Sequence, residues 1–367
     1  MQHSITINDV AAALACLDYE CRDTWIRAGM AIKSEFGEDG YPVWDEWSQL
    51  SKVYDAGAAR SSWKSFRGNG VGIGSLIKMA QDAGWHFNPA DLDAEEIKRR
   101  REAADRRREQ LAAEIEADEQ ARAEWHERVA LVSLQIDELL SWGGRSRYLD
   151  RKKVRPFGVR FVPNGFIVVT YVGDAAIDLI TGREALDDFF QKQKRGEIDR
   201  ETISFKYIKF GTLAVPLRDA AGKLWGWQFI PEQGKKQFLK FGRKSGLFHL
   251  IARQGESYHA RPPLDQLRFA APPVAIAQAE GYATAASIHQ ATGLPVAVAF
   301  DSGNMPAVAG ALRSAFPSAA LLMCGDDDRN TAGNPGRTKA AEAASLVAGK
   351  WVVPDFSAHE QGLETIA

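Results

Sequence analysis

Asp326, Asp327 and Asp328 stand in a row directly behind the apolar run Ala320-Leu-Leu-Met-Cys324, and Glu280 stands directly behind another, Val274-Ala-Ile-Ala-Gln-Ala279. If both runs are strands of one parallel sheet, all four acids lie at its carboxyl edge, where open α/β sheets bind their ligands. In such a loop Asp326 and Asp328 point one way and Asp327 another. With Glu280 they make a hard, oxygen-rich set suited to Mg²⁺ or Mn²⁺. Ions of that kind neutralise a triphosphate and align it for in-line attack by a hydroxyl. Three adjacent aspartates can equally be a solvated turn. Their place behind an apolar strand, with a second acid behind another, argues for the site.

The elements that must position these acids alternate. Val274–Ala279, Val296–Phe300, Ala320–Cys324 and Trp351–Val353 read as strands, and 283–292, 306–316 and 338–347 as helices. Three βα units in a row predict a parallel sheet flanked by helices. Upstream the pattern is that of an antiparallel meander: Gly158–Val162, Phe166–Thr170, Leu213–Arg218, a turn at Asp219-Ala-Ala-Gly222, Leu224–Ile230 and Lys235–Lys240. From Asp93 to Trp142 there is no Gly or Pro, and 21 of the 36 residues from 93 to 128 are charged, which predicts one long helix. Its first part reads as a solvated spacer, and its second part carries a packing face at Trp125, Val129, Val132, Ile136 and Leu139. The first 90 residues hold five of the ten tryptophans and read as short helices. The fold class is therefore α/β with α+β, in four parts: a helical module at 1–90, a charged helix at 91–142, a basic α+β part at 143–270 and the parallel sheet at 271–367.

Charge follows the same division. The net charge of −2 over 367 residues hides 22 Lys/Arg against 12 Asp/Glu in residues 143–258, an excess of ten in a chain otherwise acidic throughout. That segment has the balance of a surface facing nucleic acid or nucleotides. Three cysteines without a CxxC pair exclude a disulfide framework and a zinc ribbon, so no zinc is expected. No apolar run reaches the ~18 residues of a membrane span and no export signal opens the chain, so no membrane partner and a cytoplasmic location are expected.

The string Glu280-Gly-Tyr-Ala-Thr-Ala285, 46 positions before Asp326-Asp-Asp328, resembles the Toprim domain of phage and plasmid DNA primases. The resemblance extends through Gly325–Ala340 and back through Val215–Asp219, Leu224–Ile230 and Phe238–Phe248, about residues 145–356 in all. Trp25–Lys33, Trp44-Asp-Glu-Trp-Ser48, Ser62–Phe66 and Gly74–Ala80 resemble the helical primase C-terminal helper domain, here placed before the catalytic region instead of after it. The resemblance implies a primase that joins nucleoside triphosphates into short primers on single-stranded DNA in phage or plasmid replication. It implies Glu280, Asp326 and Asp328 as catalytic metal ligands, and Lys240, Arg243 and Lys244 on a ridge facing template and nucleotide. Those three basic residues also fit an exposed hairpin. Asp301 is either a supporting acid or a cap of its loop, and Arg337 and Lys339 either reach phosphate or start a solvated helix. His249 and His289 read as packed histidines.

Relatives commonly continue into a helicase, so a replicative helicase is expected as a partner, either beyond Ala367 in a longer chain or as a separate protein. With no zinc domain, a local aromatic patch near Trp63–Arg67 is expected to hold template. A Toprim nuclease and a replication adaptor with a relic site are the alternative functions. A topoisomerase is disfavoured, because the sequence shows no candidate domain presenting a nucleophilic tyrosine.

Overall fold

The computed structural model describes residues 5–66, 70–86, 94–233, 235–252 and 273–354. The chain divides into two units, residues 1–120 and 121–367.

The first unit is helical. Its elements are α1 (Ile7–Leu14), α2 (Arg22–Phe36), a 3-10 turn (Gly37–Gly40), α3 (Tyr41–Ser48), α4 (Ala56–Ser65), α5 (Ile73–Asp82) and the start of α6 (Ala94–Leu139). Thr6 opens α1 through a reciprocal capping box: Asp9 N–H donates to Thr6 Oγ1 at 3.3 Å, and Thr6 N–H to Asp9 Oδ2 at 2.8 Å. The tryptophans staple the core. Trp44 contacts Trp25 and Trp63 at ring separations of 4.6 and 5.3 Å, and Trp44 and Trp63 are fully buried. Trp63 also donates from Nε1 to Glu38 Oε1 at 3.0 Å. Arg60 lies over Tyr41 and pairs with the same Glu38 at 3.3 Å.

The expected template patch at Trp63 is thus corrected, because a ring with no exposed face cannot stack on a base. Arg67 lies outside the described residues. The solvated-spacer reading holds for the exposed run 112–124 of α6, but not around Arg107 and Leu111: Leu111 packs where Gly37 leaves out a side chain, and Arg107 lies over Phe36 and reaches Glu35 at 3.6 Å.

In the second unit the rest of α6 buries Val129, Val132 and Ile136, with Leu140 just past its end, against Trp227 and Phe229. On the same face Asp137 meets Arg160 at 3.3 Å, both almost wholly buried, and the guanidinium lies over Trp142. Helix α7 (Arg147–Lys152) leads into two antiparallel sheets. The first has the order β1 (Arg160–Phe161), β5 (Leu213–Arg218), β6 (Leu224–Ile230), β7 (Gln237–Phe238). The second places β2 (Phe166–Tyr171) between β3 (Ala176–Ile180) and β4 (Ile203–Ile208), with α8 (Arg183–Lys194) in the connection. The expected meander had one sheet without β3, α8 or β4.

The parallel sheet contains β9 (Ala275–Ala279), β10 (Val296–Val298), β11 (Ala320–Cys324) and β12 (Lys350–Val352) in the order β12-β11-β9-β10. Helices α9 (Tyr282–Thr292), α10 (Met305–Ala315) and α11 (Pro335–Leu346) alternate with these strands. A fifth strand, β8 (His249–Ile251), joins beyond β10 and runs antiparallel to it. The expected boundary at residue 270 lies outside the described residues. A single buried cluster runs from Tyr148 and Phe157 through Leu217 and Ile251 to Ala279 and Val298. Tyr282 on α9 pins the entry to β1: its hydroxyl accepts from Phe157 N–H at 2.7 Å and donates to the Arg155 carbonyl at 2.9 Å.

In the first unit a Cβ on Gly29 would sit 2.4 Å from Phe66 and 2.9 Å from Trp44. Gly29→Ala should therefore cost about 1–3 kcal/mol by overpacking. Urea unfolding followed by tryptophan fluorescence will show it as an early transition of this unit.

Candidate functional site

The register of the parallel sheet sets the site. Ala279 on β9 is level with Cys324 on β11, so Glu280 and Gly325 leave adjacent strands at the same height. From Gly325 the chain passes very close to the start of α11. A Cβ on Gly325 would sit 2.7 Å from the Gly336 carbonyl oxygen, and one on Gly336 would sit 2.4 Å from that of Asp326. Two facing glycines therefore let the acidic loop fold flat against the helix. Asn334, at a φ of +39°, is the peg of this loop. Its Oδ1 accepts from Asp328 N–H at 3.0 Å and Arg337 N–H at 3.3 Å, and its Nδ2 donates to Asp327 Oδ1 at 2.8 Å. Asp328 Oδ2 accepts from Gly336 N–H at 3.1 Å.

The three aspartates differ in their surroundings. Asp327 pairs with Arg329 and Asn334, and these bonds hold its carboxyl below the ordinary range. Asp326 is raised by burial and by Asp328, against the pull of Lys236 and Lys152. Glu280 is pushed up to about 7, first by burial and then by Asp326 and Asp328, with Lys236 opposing and Asp301 adding to the rise. Its Oε2 is buried and has no hydrogen-bond partner among the described residues.

Like carboxylates crowded at a half-buried edge, one with an orphaned oxygen, are the donor set a divalent cation would relieve. In this arrangement no group of three or more His, Cys, Asp or Glu is drawn tightly enough around one point to hold an ion, among the described residues.

The basic residues fall into two groups. Lys244 pairs with Asp301 Oδ2, while Asp301 Oδ1 caps the 3-10 turn Ser302–Asn304 by accepting from Asn304 N–H at 3.0 Å. Asp301 is therefore a cap and an ion-pair partner as well as a neighbour of Glu280. Asn304 is buried and ties the basic loop to the sheet edge: its Oδ1 accepts from Gly246 N–H at 2.9 Å, and its Nδ2 donates to the Leu247 and Ala299 carbonyls at 3.0 and 2.9 Å. Lys240 lies over Phe241 and Arg243 over Trp225. Arg337 lies over Trp351, and Lys339 pairs with Glu342 at 2.6 Å on α11.

Lys236 is the residue the sequence reading missed. It faces Glu280 and Asp326 across the space left by Gly281, where a Cβ would come within 3.3 Å of its Nζ. Its position depends on β7 lying against the parallel sheet, which no local pattern encodes. His249 and His289 serve packing, bonded to the Phe157 and Leu294 carbonyls at 2.7 and 2.6 Å.

Because Glu280 stays protonated in the folded chain up to about pH 7 but in the unfolded chain only to about 4.5, it opposes folding increasingly as pH rises between those values. Half of that effect is screened by solvent. Glu280→Gln should therefore stabilise the chelator-treated protein by about 1 kcal/mol at pH 8 and leave it nearly unchanged at pH 5. Thermal unfolding of both proteins across that range checks it, and Mn²⁺ should raise the unfolding temperature of the unsubstituted protein more than that of the variant.

Residues 10–80 match the family described as Primase C terminal 2 (PriCT-2), and residues 275–356 match the Toprim domain. Two curated Escherichia coli proteins, each named DNA primase TraC, are 46% and 43% identical to this chain over 150 residues. Those matches cover 40% of this chain but only 13% and 10% of the two relatives, so the chain spans a small part of the length of the proteins it resembles. A solved chain described as the DnaG primase catalytic domain bound to single-stranded DNA is 15% identical, with a TM-score of 0.35, over 68% of this chain and 78% of that one.

Proposed function

Starting from a chain that joins a PriCT-2 module to a Toprim domain, we propose that the protein is a DNA primase that synthesises short primers on single-stranded DNA from nucleoside triphosphates. The observation that carries this reading is that Glu280, Asp326 and Asp328 act on one another just past the level ends of two parallel strands, in a chain whose preceding segment has ten excess basic residues. Asp326 and Asp328, completed by Glu280, would hold Mg²⁺ or Mn²⁺. Bound there, a divalent cation would neutralise the triphosphate and favour ionisation of the attacking hydroxyl.

The chain's own residues do the rest. Lys236 places a positive charge beside the acids, where the triphosphate would otherwise be repelled. Glu280 Oε2 either joins the metal ligands or takes the proton of the primer's 3′ hydroxyl as that oxygen attacks the α-phosphorus and pyrophosphate leaves. Lys240, Arg243 and Lys244 would bind template and nucleotide phosphates, with Arg337 and Lys339 beside the acidic loop. No helix among the described residues is long and apolar enough to cross a membrane. The partners under this reading are single-stranded DNA, nucleoside triphosphates and a replicative helicase in plasmid or phage replication.

Labelled nucleoside triphosphates and single-stranded DNA, incubated with Mg²⁺ or Mn²⁺, test the proposal. New short products are expected, and Asp326→Ala or Asp328→Ala should reduce their yield at least about a hundredfold with DNA binding retained. Template degradation without new products would make the protein a nuclease. Neither outcome from a folded, DNA-binding protein would leave an adaptor.

A further inference from the structure

On a different sheet from the acids, the strands β2, β3 and β4 with helix α8 and the end of α6 enclose a cavity of about 410 Å³. Its floor is apolar: Phe166 is fully buried there, in a core cluster that also holds Phe229 and the partly buried Leu139. Its wall is aromatic, because the rings of Phe190 on α8 and Tyr207 on β4 meet edge to face at 5.2 Å. Gly165 makes room for the second ring, since a Cβ there would sit 2.7 Å from the Tyr207 hydroxyl oxygen. Among the described residues no cation lies over either ring.

The polar groups of the cavity are unspent. Among the described residues the Asn164 amide, the Thr181 hydroxyl and the Tyr207 hydroxyl have no hydrogen-bond partner. An open amide and two open hydroxyls beside aromatic rings suit a ring system that carries its own donors and acceptors. At the mouth Arg183 and Asp187 are both exposed and stand 3.9 Å apart, beyond hydrogen-bond reach, so each keeps capacity for a ligand.

These groups match different parts of one molecule. A side-chain amide pairs with the N6 donor and N7 acceptor of adenine. A carboxylate accepts from ribose hydroxyls, and a guanidinium donates to phosphate. The volume falls within the range of small-molecule sites, and no lining residue belongs to the acid cluster or to the basic loop at Lys240–Lys244. We infer that this cavity binds an adenine ribonucleotide, with its base against Phe190 and Tyr207, its ribose at Asp187 and its phosphate at Arg183. The site is separate from the carboxylates that would serve synthesis, and it does not depend on the primase reading.

Isothermal titration calorimetry of the full chain with adenosine monophosphate in excess chelator tests the inference, because no divalent cation is then available to the carboxylates. One equivalent should bind, at least about tenfold tighter than ribose 5-phosphate, which lacks the base. Thr181→Trp fills the cavity from an exposed position without changing any charge and should abolish binding. Arg183→Ala should lower the affinity for the monophosphate to that for adenosine and leave adenosine unaffected. Asp187→Asn should erase the preference for the monophosphate over its 2′,3′-dideoxy analogue. Thermal unfolding without ligand checks that each variant is folded. Binding unaltered by Thr181→Trp in a folded variant overturns the cavity, as does the absence of heat from the unsubstituted protein up to about 5 mM nucleotide. Binding that needs Mn²⁺ and is lost in Asp326→Ala also overturns it and places the nucleotide on the carboxylates.

Discussion

The burial of Glu280 and Asp326 with further carboxylates close by is the constraint on which the candidate site depends. Left alone, Glu280, Asp326 and Asp328 would move apart into water. They are kept together because the register of β9 and β11 brings their chain positions level, and because Gly325 and Gly336 let the acidic loop lie against α11. Asn334 then fixes Asp327 and Asp328 through one hydrogen bond to each, and Asp327 is also paired with Arg329. Burial raises the Glu280 carboxyl and leaves its Oε2 without a hydrogen-bond partner among the described residues.

The basic part supplies that charge from a distance and must be tied down to do so. Asn304 does the tying from the parallel sheet, since one buried amide bonds the backbone at Gly246, at Leu247 and at Ala299. Beyond this knot the Lys244–Asp301 pair and the entry of β8 into the parallel sheet lock the two halves of the unit together. Tyr282 performs the same office at the other end of the basic part, holding Arg155 and Phe157. Charge complementarity across this seam has a packed frame behind it, so the lysines need not search for the acids.

Much of this was legible before any coordinates. The parallel strands and their helices fall within three residues of the positions read from apolar runs and Gly or Pro punctuation, because β9, β10 and β11 are mostly buried and the helices are bounded by Gly, Pro or Asn. The carboxylates stand out in the sequence as acids that end an apolar run. What escaped the reading were β3, β4 and α8, whose strands are only partly buried and whose helix is short and polar, and β8, three residues recruited by pairing distant in sequence. Lys236 escaped likewise, since its role exists only once β7 lies beside α9. Trp63 misled in the opposite direction: an aromatic among basic residues reads as a stacking surface, but the ring is filled on all sides by Trp44, Tyr41 and Phe66.

The buried pair of Asp137 and Arg160 has a consequence for how this sequence can drift. Each residue is harboured by a different element, a helix and a short strand, and each is tolerable only in the presence of the other. Losing either alone strands a charge in an apolar interior at a cost of about 3–5 kcal/mol, a large share of a typical domain's stability, whereas exchanging both for well-fitted apolar side chains can be neutral. Intermediates on that path are disfavoured. Lineages of this chain should therefore hold the two positions either both ionic or both apolar, so that helix and strand carry a shared inheritance across a gap of 23 positions.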